Sequence, residues 1–378
     1  MSKVKGVMNL ASENRMSRRK LRGGVVGCGS VSNLLHIPTL TALRSAELVA
    51  VCDRTEMLAA KSAKRFRIPR YYSVFSEMLE REDLDFVNIC TPPKTHSSLA
   101  LLAMKRGLHV LVEKPMALEL DEADKMLIAS KKNNVKLCVM HNFLFNRAFQ
   151  RTLNLVKAGA VGDLLAVDTT VLGKMQGDLL QADHWMHSLP GGIFGEFAPH
   201  AVYLEQAFLH NISHVDAIAE KAVNFPWILA DELKVLLKSE NAMGSIAMSL
   251  NSPQVSLSVD VFGTKRILHC DLFGKWFKMV RSGPMFLKSL SANLLRALHN
   301  INQRLRSLIR AGSVPLVSSF EASTLDRFSY TESHRVVIRE FVRSIVNNSR
   351  VPVTGEEGRE VVRILEEIWK QIGRDGLC

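Results

Sequence analysis

The amino-acid sequence predicts an α/β fold, with a parallel, doubly wound sheet in the first third of its 378 residues. Three observations predict this sheet. A glycine-rich turn follows an apolar strand, an acidic residue lies at the tip of the next strand, and strands alternate with helices beyond it. Such strand–helix–strand units have right-handed crossovers, and ligands bind beyond the carboxyl ends of their strands.

The glycine-rich turn comes first. Apolar residues 23–26 lead into Gly27-Cys28-Gly29-Ser30-Val31-Ser32. Gly27 permits a tight turn, and Gly29 lets the backbone approach a diphosphate with no Cβ in the way. The helix that follows offers free N–H groups, including those near Ser30 and Val31, to the phosphates. The turn therefore predicts a dinucleotide site, with Ser32 in place of the usual small third residue holding the helix slightly further from the strand.

The second strand ends in an acidic residue at the expected distance. Residues 48–52 are apolar and run into Asp53, about 20 residues beyond the turn. A carboxylate at this tip accepts hydrogen bonds from the ribose hydroxyls and repels a 2′-phosphate, which favours NAD over NADP. Arg54 beside it could stack on adenine or pair with that phosphate, so NADP stays open.

Further units extend the sheet. Segments 85–90, 109–112 and 135–140 are predicted strands, and 96–106 and 121–132 are predicted helices. The glycine turn, the Thr91-Pro92-Pro93 turn and Lys114 all fall at the carboxyl ends of their strands. These three features therefore share one edge of the sheet.

The motifs resemble those of the glucose-fructose oxidoreductase, inositol 2-dehydrogenase and MocA family. The resemblance covers about residues 22–370, apart from one internal segment, and rests on Gly27-Cys28-Gly29, Cys90–His96, Gly107–Pro115, Gly191–His200, Gly263–Lys265 and Pro352–Gly358. It implies a Rossmann domain over 23–141. It also implies a C-terminal α/β substrate domain over 142–378, with a large, open, mostly antiparallel sheet that commonly serves for homo-oligomerisation.

The resemblance also implies site residues. Thr91, Pro92, Pro93, His96, Glu113 and Lys114 are expected to contact the cofactor. Lys114 takes the position of the family's active-site lysine, and His200 that of its acid/base. Glu196 stands where the family usually has Asp, and one extra methylene shifts its carboxylate. The family often has a cis peptide at the position of Lys114–Pro115, whereas from sequence alone a trans bond is expected.

The chemistry of these residues suits the oxidation of an alcohol. A base must take the hydroxyl proton as hydride leaves the same carbon, and Lys114 near the cofactor ring can polarise or relay that proton. His200 is expected to titrate near neutral pH and to exchange the proton with solvent. Spacing of four residues places Glu196 and His200 on one face if the segment is helical, where the carboxylate could orient the ring, hold a second hydroxyl or simply lie on the surface.

Other candidate residues surround this site. His184 and Trp185 lie where pocket walls are expected, and the indole could serve as a platform for a sugar face. Asn142 follows the last predicted strand of the Rossmann domain and could reach the nicotinamide or the substrate, or be a turn residue. His184, His187, Glu196 and His200 do not have the spacing of a recognised ligand set, so no metal is predicted.

Three functions remain open on the sequence. The first is an NAD(P)-dependent oxidoreductase that transfers hydride to or from a secondary alcohol or ketone of a sugar, cyclic polyol or sugar derivative. The second is a glycosidase or lyase that retains NAD and oxidises its substrate transiently. The third is a non-catalytic dinucleotide sensor, against which the presence of both Lys114 and His200 argues.

Composition is ordinary for a globular enzyme. Hydrophobic residues make up 47% and charged residues 23% of the chain. The cysteines are scattered without a CxxC pair, which favours a reducing, cytoplasmic location. No run approaches the ~20 apolar residues of a membrane span, and the first residues lack the apolar core of a signal peptide.

The net charge of +12 is concentrated in two places. Residues 1–22 carry seven Lys or Arg against one Glu and are expected to be a disordered tail, with a transit peptide or an anionic-surface contact as alternatives. Residues 272–320 carry eight Lys or Arg and no acid. The remainder is nearly neutral, so no nucleic-acid partner is implied.

The second basic region contains an amphipathic pattern that is not standard for the family. Its apolar residues recur at helical spacing between Gly283-Pro284 and Gly312, at Leu287, Leu290, Leu294, Leu298, Ile301, Leu305 and Leu308. The pattern predicts a helical insertion at about 282–312. It is interpreted either as a helix packed on the domain or a neighbouring subunit, or as a helix over 284–311 that lies on an anionic membrane surface.

Overall fold

The structure is a computed structural model that describes residues 19–222, 225, 227–274, 276–281 and 324–373. The strands of this part of the chain are β1 (Leu21–Val26), β2 (Ala46–Cys52), β3 (Arg70–Tyr72), β4 (Phe86–Ile89), β5 (His109–Val112), β6 (Leu137–Val139), β7 (Leu164–Lys174), β8 (His214–Glu220), β9 (Glu232–Lys238), β10 (Met243–Ser249), β11 (Asn251–Gly263), β12 (Arg266–Asp271) and β13 (Trp276–Arg281). Its α-helices are α1 (Ile37–Ala42), α2 (Glu56–Phe66), α3 (Phe75–Arg81), α4 (His96–Lys105), α5 (Leu120–Lys132), α6 (Arg147–Lys157), α7 (Phe194–Gln206), α8 (Thr324–Val346) and α9 (Gly355–Ile372).

The first sheet is parallel throughout and has the strand order β3-β2-β1-β4-β5-β6. This is the doubly wound order of a Rossmann fold, with the chain reversing direction across the sheet between β1 and β4. Each predicted strand is present, with its ends shifted by at most two residues. Strands β4 and β5 consist largely of apolar residues and are buried because helices cover the sheet on both faces.

The second sheet has seven strands in the order β13-β12-β11-β7-β10-β9-β8. Its neighbours are antiparallel except for β10 and β7. Helices α6, α7 and α9 pack on one face, and the residues of β9 are alternately buried and exposed. The predicted large, open, mostly antiparallel sheet is therefore confirmed.

The last two helices connect the two sheets. Val337, Ile338 and Phe341 of α8 belong to the core of the first sheet, where Phe341 packs edge-to-face on Phe86 with ring centroids 5.9 Å apart. Helix α9 begins at the capping box of Thr354 and Glu357 and then packs on α5, α7 and β8. Helix α8 thus packs on the core of the first sheet, and α9 packs largely on the core of the second.

Two sequence predictions lie outside the described residues. These are the basic tail as far as residue 18 and the whole insertion at 282–312, with its membrane-facing segment 284–311. Both stay predictions, as do the domain boundaries. In the part of the chain that the structure describes, no helix combines the length and the apolar character that crossing a membrane requires.

Candidate active site

The glycine turn lies at the carboxyl edge of the first sheet and touches the next turn along that edge. Gly27 has φ +93°, and a Cβ there would lie 2.7 Å from the backbone of Cys90. A side chain is therefore excluded both by the backbone conformation and by the neighbouring strand end. Around Gly29, a Cβ would meet no atom within 4 Å, so this side of the turn is open to a ligand. The chain then enters a π-helical turn, Ser32–His36, that continues into α1.

Asp53 is held beside this turn. One carboxylate oxygen accepts a hydrogen bond of 2.8 Å from the backbone N–H of Cys28, and the other accepts one of 2.8 Å from Thr55. These bonds fix the carboxylate at the end of β2, next to the glycine turn, where the sequence predicts the ribose contact. Arg54 is exposed at the same tip.

The residues present fit a dinucleotide. A cavity of about 470 Å³ runs along the glycine turn. It is lined by residues of this turn, of the π-helical turn that follows and of α2, namely Cys28, Gly29, Ser30, Asn33, Leu34, Leu58, Lys61, Ser62 and Arg65. Lys61 and Arg65 supply positive charge on the α2 side of the cavity. An open glycine, a helix start and nearby cations together suit an anionic diphosphate.

The next turn along the edge contains Thr91, Pro92 and Pro93. His96 lies beneath it, fully buried, with its ring nitrogens 2.7 Å from the carbonyl oxygen of Thr91 and 2.8 Å from that of Pro115. Burial lowers the pKa of His96. The histidine therefore ties the turn after β4 to the segment after β5, and the structure places its ring below the surface of the predicted cofactor site.

Glu113 lies in a buried polar cluster at the end of β5. Its carboxylate is 2.8 Å from Nε2 of His36 and 3.9 Å from Nε2 of His334 on α8, and Asn88 contacts the other nitrogen of His36 at 3.2 Å. Burial alone would raise the pKa of Glu113, but the hydrogen bond and the charges of His36, His334 and Lys114 outweigh it and lower the pKa to about 2. The carboxylate is thus engaged by protein groups beneath the predicted cofactor site.

Lys114 follows β5 of the first sheet and contacts Glu196 on α7, which packs on the second sheet. Its peptide bond to Pro115 is cis, so the trans expectation was wrong. The side chain is almost fully buried, and Nζ forms an ion pair with the carboxylate of Glu196 and donates a hydrogen bond of 2.9 Å to the backbone carbonyl of Glu196. Two residues 82 positions apart therefore form one unit.

Glu196 and His200 lie on α7, as the spacing of four predicted for a helix. Gly191 and Gly192, which precede the helix, allow the backbone to pack closely on neighbouring side chains. Gly191 has φ +74°, and a Cβ there would lie 2.4 Å from the ring of Trp369 on α9. Tight packing at this turn sets the start of α7 and hence the direction in which Glu196 reaches Lys114.

His200 differs from its predicted behaviour. Burial, followed by the charges of Lys114, His334 and His141, lowers the pKa of His200 well below 6.5. The expectation that it titrates near neutral pH was therefore wrong, because burial disfavours the charged ring. The ring is neutral at pH 7 and packs edge-to-face on Phe143 with centroids 4.9 Å apart. A neutral imidazole is the form that can accept a proton.

Sequence reasoning missed the groups behind His200. Tyr203 lies 2.7 Å from Nδ1 of His200 through its hydroxyl, and that hydroxyl also contacts Asn142 at 3.3 Å. The i, i+3 spacing of His200 and Tyr203 is the signal that would have revealed the first contact, had the segment been taken as helical. Asn142, which is 1% exposed, was predicted only from its place after a strand.

His184 and Trp185 lie on the loop between β7 and α7. Their rings are 5.9 Å apart, and Trp185 is 38% exposed. Nε2 of His187, on the same loop, donates a hydrogen bond of 2.9 Å to the carbonyl oxygen of Leu179. The structure gives this loop contacts of its own and joins neither ring directly to the Lys114–Glu196 unit. Their place in a substrate pocket stays a prediction.

The loop also borders a second cavity. This cavity of about 380 Å³ lies beside the segment that follows Lys114, and its lining comprises Leu118, Glu119, His187, Ser188, Leu189, Pro190, Leu229, Glu366 and Trp369. The His187–Pro190 loop thus packs towards the same strand end that carries the lysine.

The arrangement can hold and deprotonate a hydroxyl group. A buried ammonium, a carboxylate and a neutral imidazole come from the end of β5 and from α7, next to a glycine turn that suits a diphosphate. Ammonium groups stabilise a developing alkoxide, and a neutral imidazole accepts the proton. The geometry is thus that of acid–base chemistry beside a dinucleotide.

Known families match both halves of the chain. Residues 21–141 match the oxidoreductase family with an NAD-binding Rossmann fold, and residues 149–269 match the GFO/IDH/MocA C-terminal domain. Together these matches cover more than half of the chain.

Individual relatives are more distant. A D-apiose dehydrogenase from Paraburkholderia graminis is 34% identical over 144 residues, which are 38% of this chain and 38% of that protein. A glycosyl hydrolase family 109 protein from Shewanella sp. (strain W3-18-1) is 28% identical over 173 residues, which are 43% of this chain and 38% of the relative. The chain thus spans well under half the length of these two relatives.

Solved structures show the same fold over nearly the whole chain. The WlbA dehydrogenase from Bordetella pertussis, in complex with NADH and UDP-GlcNAcA, superposes with a TM-score of 0.75 at 22% identity and covers 95% of this chain and 97% of its own. This likeness shows the fold, and the two family matches lead to one conclusion: the chain belongs to the GFO/IDH/MocA oxidoreductase family, and its first domain is an NAD-binding Rossmann fold.

Proposed function

We propose that this protein is an NAD-dependent oxidoreductase that transfers hydride between nicotinamide and a secondary alcohol or ketone of a sugar, cyclic polyol or sugar derivative. The single observation that carries the proposal is the ion pair between Lys114 and Glu196, with His200 one turn further along α7, at the edge of the sheet where the glycine turn lies. A binding module would need the turn alone, and it has no chemical use for a buried lysine paired with a carboxylate.

Each residue has a distinct part in this proposal. The ammonium of Lys114 donates a hydrogen bond to the substrate oxygen and stabilises negative charge on it. Glu196 holds that ammonium in place through its carboxylate and its backbone carbonyl. His200, which its low pKa keeps neutral, accepts the hydroxyl proton. Bound NAD supplies the hydride acceptor.

The substrate class rests on relatives. One relative is named for D-apiose and another, from Thermotoga maritima, is a myo-inositol 2-dehydrogenase that is 30% identical over 142 residues. A solved structure of the same fold is titled with UDP-GlcNAcA. All three compounds carry several hydroxyl groups, which supports a polyhydroxylated substrate for this chain.

A second candidate is glycoside cleavage with retained NAD. It is favoured by the similarity to glycosyl hydrolase family 109 proteins. Such an enzyme would oxidise its substrate transiently and return the hydride, so that no net NADH accumulates. The two candidates therefore differ in the balance of cofactor rather than in the site residues.

We further propose that the protein is a homo-oligomer. The face of the second sheet opposite α6, α7 and α9 exposes apolar side chains among polar ones, including Ile218, Leu236 and Met243. A second copy of the chain would cover them.

The five cysteines that the structure describes are free and, except for Cys90, buried, which supports a reducing compartment such as the cytoplasm.

The test begins with the purified protein. It is denatured, any released nucleotide is identified by mass, and the native protein is then assayed for NADH formation with D-apiose, myo-inositol and UDP-linked uronic acids. Net NADH with one of these compounds supports the dehydrogenase. Cleavage of a nitrophenyl glycoside without net NADH would support the second candidate instead. Protein that carries no nucleotide and binds neither NAD nor NADP would overturn both.

A further inference from the structure

The hydroxyl of Tyr203 lies directly behind His200. Both residues are on α7, three positions apart, so their side chains share a face of the helix. The hydroxyl oxygen is 2.7 Å from Nδ1 of His200, and the two rings meet edge to face. Tyr203 is 1% exposed, and its ring stacks on His141 with centroids 4.3 Å apart. The stacked ring holds the hydroxyl in one direction.

Two further groups contact the same hydroxyl. The backbone N–H of Phe143 donates to it at 3.2 Å, and Oδ1 of Asn142 lies 3.3 Å away. Both residues belong to the 3₁₀ turn Asn142–Phe145 that follows β6. The oxygen of Tyr203 is therefore surrounded by an obligatory donor, an amide oxygen that can only accept, and an imidazole nitrogen that can do either.

The proton count of the hydroxyl decides the role of the imidazole nitrogen. A hydroxyl has one proton and two acceptor positions. The Phe143 amide occupies one acceptor position, and Oδ1 of Asn142 requires the proton. The contact of 2.7 Å between this oxygen and Nδ1 of His200 also needs a proton, and with the hydroxyl proton directed to Asn142 that proton must be on Nδ1. If the hydroxyl instead donated to His200, the oxygens of Tyr203 and Asn142 would face each other without a proton between them.

We infer that Tyr203, oriented by Asn142, is a positioning residue that holds the neutral ring of His200 in its Nδ1–H tautomer. Nε2 is then left without a proton and is the atom that accepts one from the substrate. The inference rests on the proposed function, because it assigns the proton-accepting atom of the same site. It adds that Tyr203 and Asn142, which lie behind His200, decide its tautomer.

The other end of the Asn142 amide supports a link to a ligand. Its Nδ2 is buried and has no hydrogen-bond partner in the described part of the chain. Rotation of the amide by half a turn would present Nδ2 to Tyr203, whose proton would then pass to His200. A molecule with an acceptor oxygen at Nδ2 would stabilise the orientation of the amide found here, and its binding would then favour the Nδ1–H tautomer of His200.

The tautomer can be measured without a substrate. Protein labelled with ¹⁵N in its histidine rings is examined by magic-angle-spinning NMR with NAD added, and His200→Asn identifies the signals of this ring. We expect a protonated Nδ1 and an unprotonated Nε2 in the unmodified protein. Tyr203→Phe should yield a mixture of tautomers. Asn142→Leu frees the tyrosine proton and should convert the ring to the Nε2–H form.

Tyr72→Phe is the matched control, since it also removes a buried hydroxyl, one that donates to Glu82 at 2.6 Å in the first sheet. It should leave the His200 signals unchanged. An unprotonated Nδ1 in the unmodified protein, or unchanged signals in both Tyr203→Phe and Asn142→Leu, would overturn the inference. Full turnover by His200→Asn would instead contradict the catalytic role in the proposed function, while the spectra would still report on the tautomer.

Discussion

Lys114 contacts Glu196 twice, through an ion pair between Nζ and the carboxylate and through a hydrogen bond of 2.9 Å from Nζ to the backbone carbonyl. The lysine comes from the end of β5 in the first sheet, and the glutamate comes from the first turn of α7, which packs on the second sheet. The ammonium is therefore held at the junction of the two units, where a substrate would meet the cofactor. Burial makes the pair sensitive to the loss of either partner.

Replacing the lysine should remove turnover and spare cofactor binding. Lys114→Met keeps the length of the side chain but loses the charge that stabilises the substrate oxygen, and we expect kcat to fall by about 10²–10⁴-fold. The NAD dissociation constant, measured by calorimetry, should change by less than about threefold, since the glycine turn is untouched. Lys131→Met, at an exposed lysine paired with Glu356, is the control. Wild-type kcat in the Lys114 variant would contradict the mechanism.

Changing the carboxylate tests whether the length of Glu196 matters. Glu196→Gln keeps the shape but loses the ion pair and should lower kcat/KM by about 10–100-fold, which corresponds to about 1.4–2.7 kcal/mol. The kcat/KM of Glu196→Asp should lie between that of the wild type and that of Glu196→Gln, because a side chain shorter by one methylene withdraws the carboxylate from Nζ of Lys114. Steady-state kinetics decides. Equal activity of all three proteins would mean that the backbone carbonyl alone positions the lysine.

Cofactor preference should depend on Asp53. Its carboxylate, held by the N–H groups of Cys28 and Thr55, repels a 2′-phosphate. Asp53→Ala should weaken NAD binding by about tenfold, or 1.4 kcal/mol, and reduce the discrimination against NADP. Dissociation constants for both dinucleotides measure this effect. Asp83→Ala, at an exposed acidic residue, serves as the control, and unchanged selectivity in the Asp53 variant would assign the preference to another residue.

The ionised Glu113 should contribute to stability in a defined pH range. Its pKa is lowered from 4.5 to about 2, so the folded state favours the ionised form. The stabilisation is complete above pH 4.5 and is lost as the pH falls through about 2; its full size is about 3 kcal/mol. Urea unfolding of the wild type and of Glu113→Gln from pH 7 to pH 3 should therefore yield a difference that shrinks below pH 4.5. A constant difference would mean that the carboxylate titrates normally.

Alcohol oxidation should be insensitive to the ionisation of His200 near neutral pH. The pKa of His200 lies well below 6.5, so protonation, which removes the base, begins only at acidic pH. A plot of kcat/KM against pH for the wild type should show no transition between pH 6 and pH 8 that comes from His200. Any transition in that range should therefore remain in His200→Asn. A transition that His200→Asn abolishes would mean that the ring gains solvent when the substrate binds.

Local patterns in the sequence were sufficient for the first half of the molecule. The glycine turn at Gly27, the acidic tip at Asp53 and the alternation of strands with helices are each contained in short segments, and parallel strands separated by helices have few possible arrangements. The prediction that the features ending at Pro93 and Lys114 share an edge followed from that topology. The spacing of four placed Glu196 and His200 on one face only if their segment is helical, and the structure shows the helix.

The sequence by itself determined the fold class and the glycine turn, because each depends on residue types at fixed local spacing, and its resemblance to the family indicated the candidate acid–base residues. Tertiary structure decided how these residues behave. Packing of α7 on the second sheet and on α9 places Glu196 where it contacts Lys114, α8 carries His334 to the cluster around Glu113, and burial moves the pKa of His200 away from neutrality. These properties depend on neighbours from distant parts of the chain and on exclusion of water, neither of which a local pattern contains.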